Sequence, residues 1–109
     1  MWKVVFYTTA RGESPVTEYV NKLTDFEQVR IDIKIKLLKE YGTTLRPPQI
    51  GQIDAKLWEL RPYQFRIFYF LYSEMTYMIV HVCRKQSQKT KIQDKKLAIK
   101  RMKEFTAKV

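Results

Sequence analysis

The sequence contains a single cysteine, Cys83, and a single histidine, His81, among its 109 residues. One cysteine cannot form an intramolecular disulfide. The chain also lacks the closely spaced cysteines and histidines that are typical of zinc motifs. We therefore expect a cytoplasmic protein that uses no metal and no other cofactor.

Glycine and proline are scarce as well, with three and four residues, and no apolar run approaches membrane-spanning length. Such a composition disfavours disorder and low complexity, and 45% hydrophobic residues suffice for a packed core. The apolar segment from Trp2 to Tyr7 is too short for a secretion signal. We expect one domain over residues 1–109, neither exported nor embedded in a membrane.

Acidic residues are outnumbered, because 11 Asp and Glu face 21 Lys and Arg, which leaves a formal net charge of +10 at pH 7. The excess is concentrated from Arg84 onward, where ten basic residues face only Asp94 and Glu104. A well-solvated helix face would explain such a segment in a chain of ordinary charge. An imbalance of this size instead indicates a polyanion as partner.

The first elements predicted are a strand and a helical hairpin. Lys3 to Tyr7 is β-branched and aromatic, as strands are. Ser14-Pro15 supplies an N-cap and a proline for a short helix that reaches Leu23. Thr24-Asp25-Phe26-Glu27 forms a capping box, which begins a second helix.

The second helix carries an apolar stripe of the kind that packs against a core. Its members are Phe26, Val29, Ile33, Leu37 and Tyr41. Gly42 is suited to end the helix. From Thr43 to Ala55 the sequence lacks periodicity and contains Pro47-Pro48 and Gly51, which predicts a loop.

Three more strands are predicted from Leu57 to Arg61, from Phe65 to Tyr72 and from Tyr77 to Cys83, joined by short turns into an antiparallel meander. A weaker capping box at Thr90 and Gln93 begins a final basic helix. Its apolar side is traced by Ile92, Ile99, Met102 and Phe105. The predicted order is β-α-α-β-β-β-α, an α+β fold.

Four segments follow one another in an order that matches a known group of proteins. They are Leu57-Trp58-Glu59-Leu60-Arg61, Phe65-Arg66-Ile67-Phe68-Tyr69-Phe70, Ile79-Val80-His81 and Lys85-Gln86-Ser87-Gln88-Lys89-Thr90. In these segments the chain resembles HigB-like toxins of the RelE/ParE toxin-antitoxin superfamily. It departs from them at Lys91, where proline is common, and in having no tyrosine after Tyr77.

The resemblance implies a RelE-like fold in which the helical hairpin packs on a central antiparallel sheet. It also implies ribosome-dependent, metal-independent cleavage of messenger RNA, which inhibits translation. The expected partners are messenger RNA, the ribosome and a cognate helix-turn-helix antitoxin of the HigA type. With that antitoxin the chain would form a hetero-oligomer.

Arg66 is the first candidate catalytic residue. Cleaving RNA without a metal requires that the charge of the phosphorane be neutralised, and a guanidinium can fork onto two phosphate oxygens. Alternation places Arg66 beside Phe68, Phe70 and Tyr72, where we expect it to be exposed toward substrate. The resemblance also puts a phosphate-binding arginine in this strand. A salt bridge to Glu59 is the structural alternative, although Glu59 is itself a candidate base.

Arg61, Lys85 and His81 complete the candidate catalytic set. Arg61 ends the preceding strand and would hold a phosphate, while Lys85 matches, by resemblance, a basic position at the active-site rim. His81 suits proton transfer near neutral pH, but apolar neighbours on both sides are more typical of a hydrogen-bonded core histidine. Alternation groups His81 with Tyr77, Ile79 and Cys83.

The candidate RNA-binding residues are four basic side chains and one aromatic side chain. They are Lys56, Arg84, Lys89, Lys91 and Tyr63. The basic side chains would contact phosphates, with Lys56 near the same patch as Arg61, and Tyr63 would stack on an unpaired base. Two other functions stay open, since fold alone does not separate them. One is a ParE-like inhibitor of DNA gyrase without ribonuclease activity, and the other is a non-catalytic RNA-binding module.

Overall fold

The strands β4 (Phe65–Ser73) and β5 (Thr76–Arg84) form the centre of a five-stranded sheet in the computed structural model, which describes residues 1–85 and 92–106. The other strands are β1 (Lys3–Phe6), β2 (Ile50–Gln52) and β3 (Trp58–Leu60), and the spatial order is β1-β5-β4-β3-β2. Strands β2 to β5 pair antiparallel, whereas β1 runs parallel to β5 at one edge. The predicted meander is therefore present, and the sheet becomes mixed only at β1.

Three helices cover the sheet within the described residues: α1 (Pro15–Asn21), α2 (Asp25–Tyr41) and α3 (Ile92–Thr106). Helix α2 begins at the predicted capping box, where the Thr24 hydroxyl accepts from the Glu27 amide and the Glu27 carboxylate accepts from the Thr24 amide. The expected cap at Thr90 lies outside the described residues. Nowhere in residues 1–85 and 92–106 does a helix have the length and apolar character needed to cross a membrane.

Side chains of β4 alternate between two apolar cores. Phe65, Ile67 and Tyr69 face the α1/α2 hairpin, whereas Phe68 and Phe70 face α3. We call these two sides of the sheet the hairpin face and the α3 face. Burying a large apolar side chain contributes about 1.5 to 3 kcal/mol, so a strand buried on both faces anchors both helical layers. The predicted α+β fold is confirmed, with α3 on the side of the sheet opposite the hairpin.

The buried face of α2 is not the predicted stripe. Ile31, Ile35 and Leu38 pack into the core, while Phe26, Val29, Ile33 and Tyr41 are between 48% and 55% exposed. Both sets occur at spacings of three and four, so helical periodicity alone fits either of them. The packing of the hairpin on the sheet decides between them, and it leaves an apolar stripe on the outer side of α2.

The predicted loop from Thr43 to Ala55 also needs correction. It contains a short 3₁₀ helix, Gly42–Thr44, and the edge strand β2, which pairs Ile50 with Leu60 and Gly51 with Glu59. A three-residue strand that includes a glycine has too little side-chain pattern to be recognised. Its hydrogen-bonding partner β3 stabilises it, and that partner is not visible in the local sequence.

Two isoleucines on α2 test which face is buried. Ile31→Ala should lower the free energy of unfolding by about 2 to 5 kcal/mol, because it opens a cavity in the core under the hairpin. Ile33→Ala removes the same atoms from the same helix but from a half-exposed position, so it should cost roughly 0.5 kcal/mol. Urea denaturation of the two variants measures both values, and equal losses would contradict the observed orientation of α2.

Candidate active site on the α3 face

A one-residue bulge in β5 decides which of its side chains lie on the α3 face. Tyr69 of β4 pairs with Ile79, but the preceding residue Phe68 pairs with His81, so Val80 is the extra residue between them. One extra residue moves every later side chain of the strand to the face opposite the expected one. Ile79 faces the hairpin, whereas His81 stacks on Phe68 under α3.

The predicted grouping of His81 with Tyr77 and Ile79 is therefore wrong, because both of those residues face the hairpin. Cys83 does share the face of His81, because it lies two residues further along the strand, and it packs with the core under α3. It stands opposite Arg66 in the ladder. The bulge thus brings His81 and Cys83 to the face that carries Arg66.

Two arginines share one buried carboxylate on this face. The Oε2 atom of Glu59 lies 2.9 Å from Nε of Arg61 and 3.8 Å from Nε of Arg66. Glu59 is only 3% exposed, and burying a carboxylate is unfavourable unless cations or hydrogen-bond donors compensate its charge. The ion pair that was the structural alternative for Arg66 and Glu59 is therefore present.

The two arginines differ in how far solvent reaches them. The Arg66 side chain is 16% exposed and its Nη1 donates to the Phe65 carbonyl at 2.7 Å, so the expectation that Arg66 is exposed toward substrate is wrong. Burial lowers the pKa of Arg66 and the Glu59 carboxylate raises it, but a guanidinium stays charged at neutral pH.

Arg61 is 36% exposed, and its guanidinium lies over Gly51, where a side chain would collide with it. Arg61 is therefore the more accessible cation.

His81 is held by α3. Its Nε2 lies 2.8 Å from Oδ1 of Asp94, in the first turn of that helix, and its ring stacks on Phe68 with centroids 5.6 Å apart. Burial lowers the pKa of His81, while the hydrogen bond to Asp94 acts in the opposite direction. Burial, helped by Asp94, raises the pKa of the Cys83 thiol to about 12. A thiol with that pKa is not a nucleophile at neutral pH.

A potential ligand cluster forms here that the sequence spacing did not predict. His81, Cys83 and Asp94 each place one donor atom within 4.8 Å of the others. Asp94 joins the two strand residues only because α3 folds back over β5, which spacing along the chain does not reveal. The lack of zinc-type spacing along the chain therefore did not exclude a ligand cluster in the fold.

Comparisons with known proteins fit this architecture. The sequence profile of a family described as phage derived protein Gp49-like (DUF891) matches residues 18–103. The chain belongs to this family. A comparison with curated protein sequences finds no significant match.

Solved structures show the same fold at low sequence identity. The isolated E. coli RelE toxin is 14% identical with a TM-score of 0.57, and the match covers 94% of this chain and 99% of that one. A chain of the intact E. coli RelBE toxin-antitoxin complex is 16% identical with a TM-score of 0.51, covering 80% of this chain and 100% of that one. The fold of this Gp49-like protein is RelE-like.

The structure brings together three of the four candidate catalytic residues, namely Arg61, Arg66 and His81, on the α3 face. Lys85, the fourth, is exposed just after β5, and its amide donates to the Gln64 carbonyl at 2.6 Å. Because Gln64 directly precedes β4, Lys85 lies at the end of the sheet where Arg66 begins its strand. Its position fits the rim of the arginine site.

Three of the five candidate RNA-binding residues are among those the structure describes, and these three do not join them. Arg84 lies on the hairpin face, where it pairs with Glu27 at 2.7 Å and covers the ring of Phe65. Tyr63 packs edge-to-face on Phe26 of α2. Lys56 lies in the bend before β3 and lines a cavity with Trp58 and Tyr69, which belong to the hairpin face. Lys89 and Lys91 lie outside the described residues.

The contact between Glu59 and Arg61 generates a double-mutant prediction. In a cycle of Glu59→Gln and Arg61→Met, we expect a coupling of about 1 to 3 kcal/mol in the free energy of unfolding, because the carboxylate is buried. The matched pair is Glu27→Gln with Arg84→Met at the protein surface, which should couple less and lose its coupling in high salt. Urea denaturation at two salt concentrations measures both cycles. A weaker coupling at Glu59 than at Glu27 would show that the buried pair does not organise this face.

Proposed function

We propose that this chain is the toxin of a type II toxin-antitoxin system, a HigB-like, ribosome-dependent endoribonuclease that cleaves messenger RNA and inhibits translation. The observation that carries the proposal is the pair of guanidinium groups, Arg61 and Arg66, held around Glu59 on the face that also presents His81. The RelE-like fold supports it, since a protein described as a toxin shares that fold.

The two arginines would stabilise the transition state. When the 2′-hydroxyl of a ribose attacks the adjacent phosphate, negative charge grows on the phosphorane oxygens, and fixed cations stabilise it without reorganisation. Arg61 is accessible enough to meet the phosphate, while Arg66 stands behind it on a rigid central strand. Glu59 orients both groups through its bridging oxygen. No step in this proposal uses a metal.

Proton transfer is assigned to groups at the rim of the same site. Lys85 is exposed just after β5 and would protonate the leaving 5′-oxygen, while solvent water takes the proton of the attacking 2′-hydroxyl. His81 has its Nε2 engaged by Asp94, so it would act on substrate only by exchanging that hydrogen bond. We therefore propose Lys85 as the acid and His81 as a residue that shapes the site beside Arg66.

Helix α3 would guide RNA toward this face. Lys96, Lys100 and Lys103 are exposed along it, while Arg101 anchors the helix by donating to the Val80 carbonyl at 2.8 Å. Lysines that neutralise phosphates give affinity without sequence preference. In the proposed function these lysines hold messenger RNA, or ribosomal RNA around it, while the arginines act on one phosphate.

The proposed antitoxin is a HigA-like helix-turn-helix protein that forms a hetero-oligomer with this chain in the cytoplasm. The outer stripe of α2 supports a protein partner, since Phe26, Val29 and Ile33 are half-exposed and Tyr63 extends the apolar area. Exposed apolar surface of this kind commonly marks an interaction site. The RelE-like fold also occurs in a complex described as toxin-antitoxin.

Substitution of Arg66 tests the proposed chemistry. Arg66→Ala should reduce RNA cleavage about a hundredfold, the effect of losing roughly 3 kcal/mol of transition-state stabilisation. Arg66→Lys should recover only part of it, because an ammonium lacks the forked geometry. Arg46→Ala is the matched control, since it removes the same charge from a loop whose carbonyls it binds, at residues 43 and 45.

The measurement is growth inhibition on induction together with mapping of RNA ends in translating cells, beside thermal melting of each variant. Because Arg66 contacts Glu59, a modest loss of melting temperature is expected. Full toxicity of Arg66→Ala would remove this residue from the site. Intact RNA together with inhibited supercoiling in a gyrase assay would support the ParE-like alternative, and RNA binding without either activity would support a non-catalytic module.

Co-expression tests the partner. The product of the adjacent open reading frame should restore growth and co-purify with the toxin, because a basic and partly apolar surface has to be covered to silence it. Val29→Asp with Ile33→Asp should weaken that complex without unfolding α2, since both side chains point outward. A neighbour that forms no complex would count against the toxin-antitoxin assignment.

A further inference from the structure

The only cysteine and the only histidine of the chain lie two residues apart on β5 and face the same side of the sheet. Alternation places both on one side, and the Val80 bulge makes that side the α3 face. Asp94 reaches the same point from the first turn of α3 and binds His81 at 2.8 Å. Two adjacent elements thus supply a nitrogen, a sulfur and an oxygen donor to one position.

The spacing of these atoms suits a small cation. All three donors lie within 4.8 Å of one another. Ligands at about 2.0 to 2.3 Å from a tetrahedral zinc stand roughly 3.2 to 3.8 Å apart, so small rotations of the side chains would bring the three atoms into range. Stacking on Phe68 already orients the His81 ring.

The donor types select the metal. A thiolate and an imidazole favour zinc over magnesium or calcium, which prefer oxygen ligands throughout. Zinc binding displaces the proton of the Cys83 thiol into solvent, and the resulting thiolate and the Asp94 carboxylate together balance the double charge of Zn²⁺. Three protein ligands leave a fourth position for water, and the side chains of His81 and Asp94 retain 15% and 25% exposure, which gives the ion a path from solvent.

We propose that His81, Cys83 and Asp94 form a Zn²⁺ site on the α3 face, next to the arginine pair. Bound zinc ties the first turn of α3 to β5 and takes the imidazole of His81 as a ligand. The proposed catalysis needs no metal, so the ion acts as a regulator: occupancy fixes α3 against the site and slows RNA cleavage. This regulatory consequence rests on the proposed function, whereas zinc binding itself does not.

Cobalt serves as a spectroscopic probe of the site. Titrating CoCl₂ into the reduced full-length chain, without affinity tags, should produce a thiolate-to-cobalt charge-transfer band that saturates at one ion per chain. Because Cys83 is the only thiol, the band reports on this position alone. ZnCl₂ should abolish the band by displacement and should raise the melting temperature of the wild type.

Variants separate a three-ligand site from simple thiol binding. Losing even a residue that only supports a metal ligand typically weakens metal affinity tenfold or more. His81 and Asp94 are proposed as direct ligands, so His81→Gln and Asp94→Asn should each lower the affinity for zinc by at least about tenfold. Cys83→Ser should abolish the cobalt band. Asp54→Asn, which changes an exposed carboxylate in the turn before β3, should bind as the wild type does. Unchanged affinity in His81→Gln and Asp94→Asn would reduce the site to a metal-reactive cysteine and overturn the proposal.

Adding ZnCl₂ to the RNA cleavage assay tests the proposed regulation. Zinc should lower the cleavage rate of the wild type and leave the cleavage rate of Cys83→Ser unchanged. Equal inhibition of both proteins would place the effect on the ribosome or the RNA and overturn regulation through this site. A chain that cleaves no RNA at all contradicts the proposed function, yet the cobalt and melting experiments still decide whether zinc binds.

Discussion

The Val80 bulge in β5 is the constraint on which the composition of the α3 face depends. With regular pairing, His81 and Cys83 would face the hairpin, and an apolar side chain would take their place under α3. The extra residue interrupts the ladder with β4, which costs local hydrogen bonding. Stacking of His81 on Phe68 and its bond to Asp94 offset that cost. The bulge therefore joins the geometry of the sheet to the chemistry of the site.

The buried carboxylate of Glu59 is more readily explained by function than by stability. A buried ion pair commonly adds little net stability, since desolvation consumes most of the Coulomb attraction. What the pair does supply is orientation, because the Glu59 carboxylate hydrogen-bonds Arg61 and draws Arg66 to within 3.8 Å of the same oxygen. Gly51 on the edge strand contributes by leaving room for the Arg61 guanidinium. A preorganised pair of cations at the end of a rigid sheet suits a phosphate whose charge grows during reaction.

The two faces of the sheet present surfaces of different chemistry. On the α3 side, the helix carries exposed lysines and the sheet carries the arginine pair, which suits a polyanion. On the hairpin side, Arg84 is paired with Glu27, and the outer stripe of α2 presents half-exposed apolar side chains such as Ile33. The two sides of the sheet therefore suit partners of different chemistry.

Local sequence by itself determined the features that depend on neighbouring residues. The capping box that begins α2, the alternation of β4 and the pairing of Glu59 with an arginine follow from spacings of two to four residues. Contacts between distant segments decided the rest. Strand β2 exists because β3 pairs with it, α2 buries Ile31 because of how the hairpin packs, and Asp94 meets His81 because α3 folds over a bulged strand. A bulge shifts the register of a strand by one residue, and the amino-acid composition of the strand does not reveal it. Which side chains then face each other is decided only when the strands pair in the sheet.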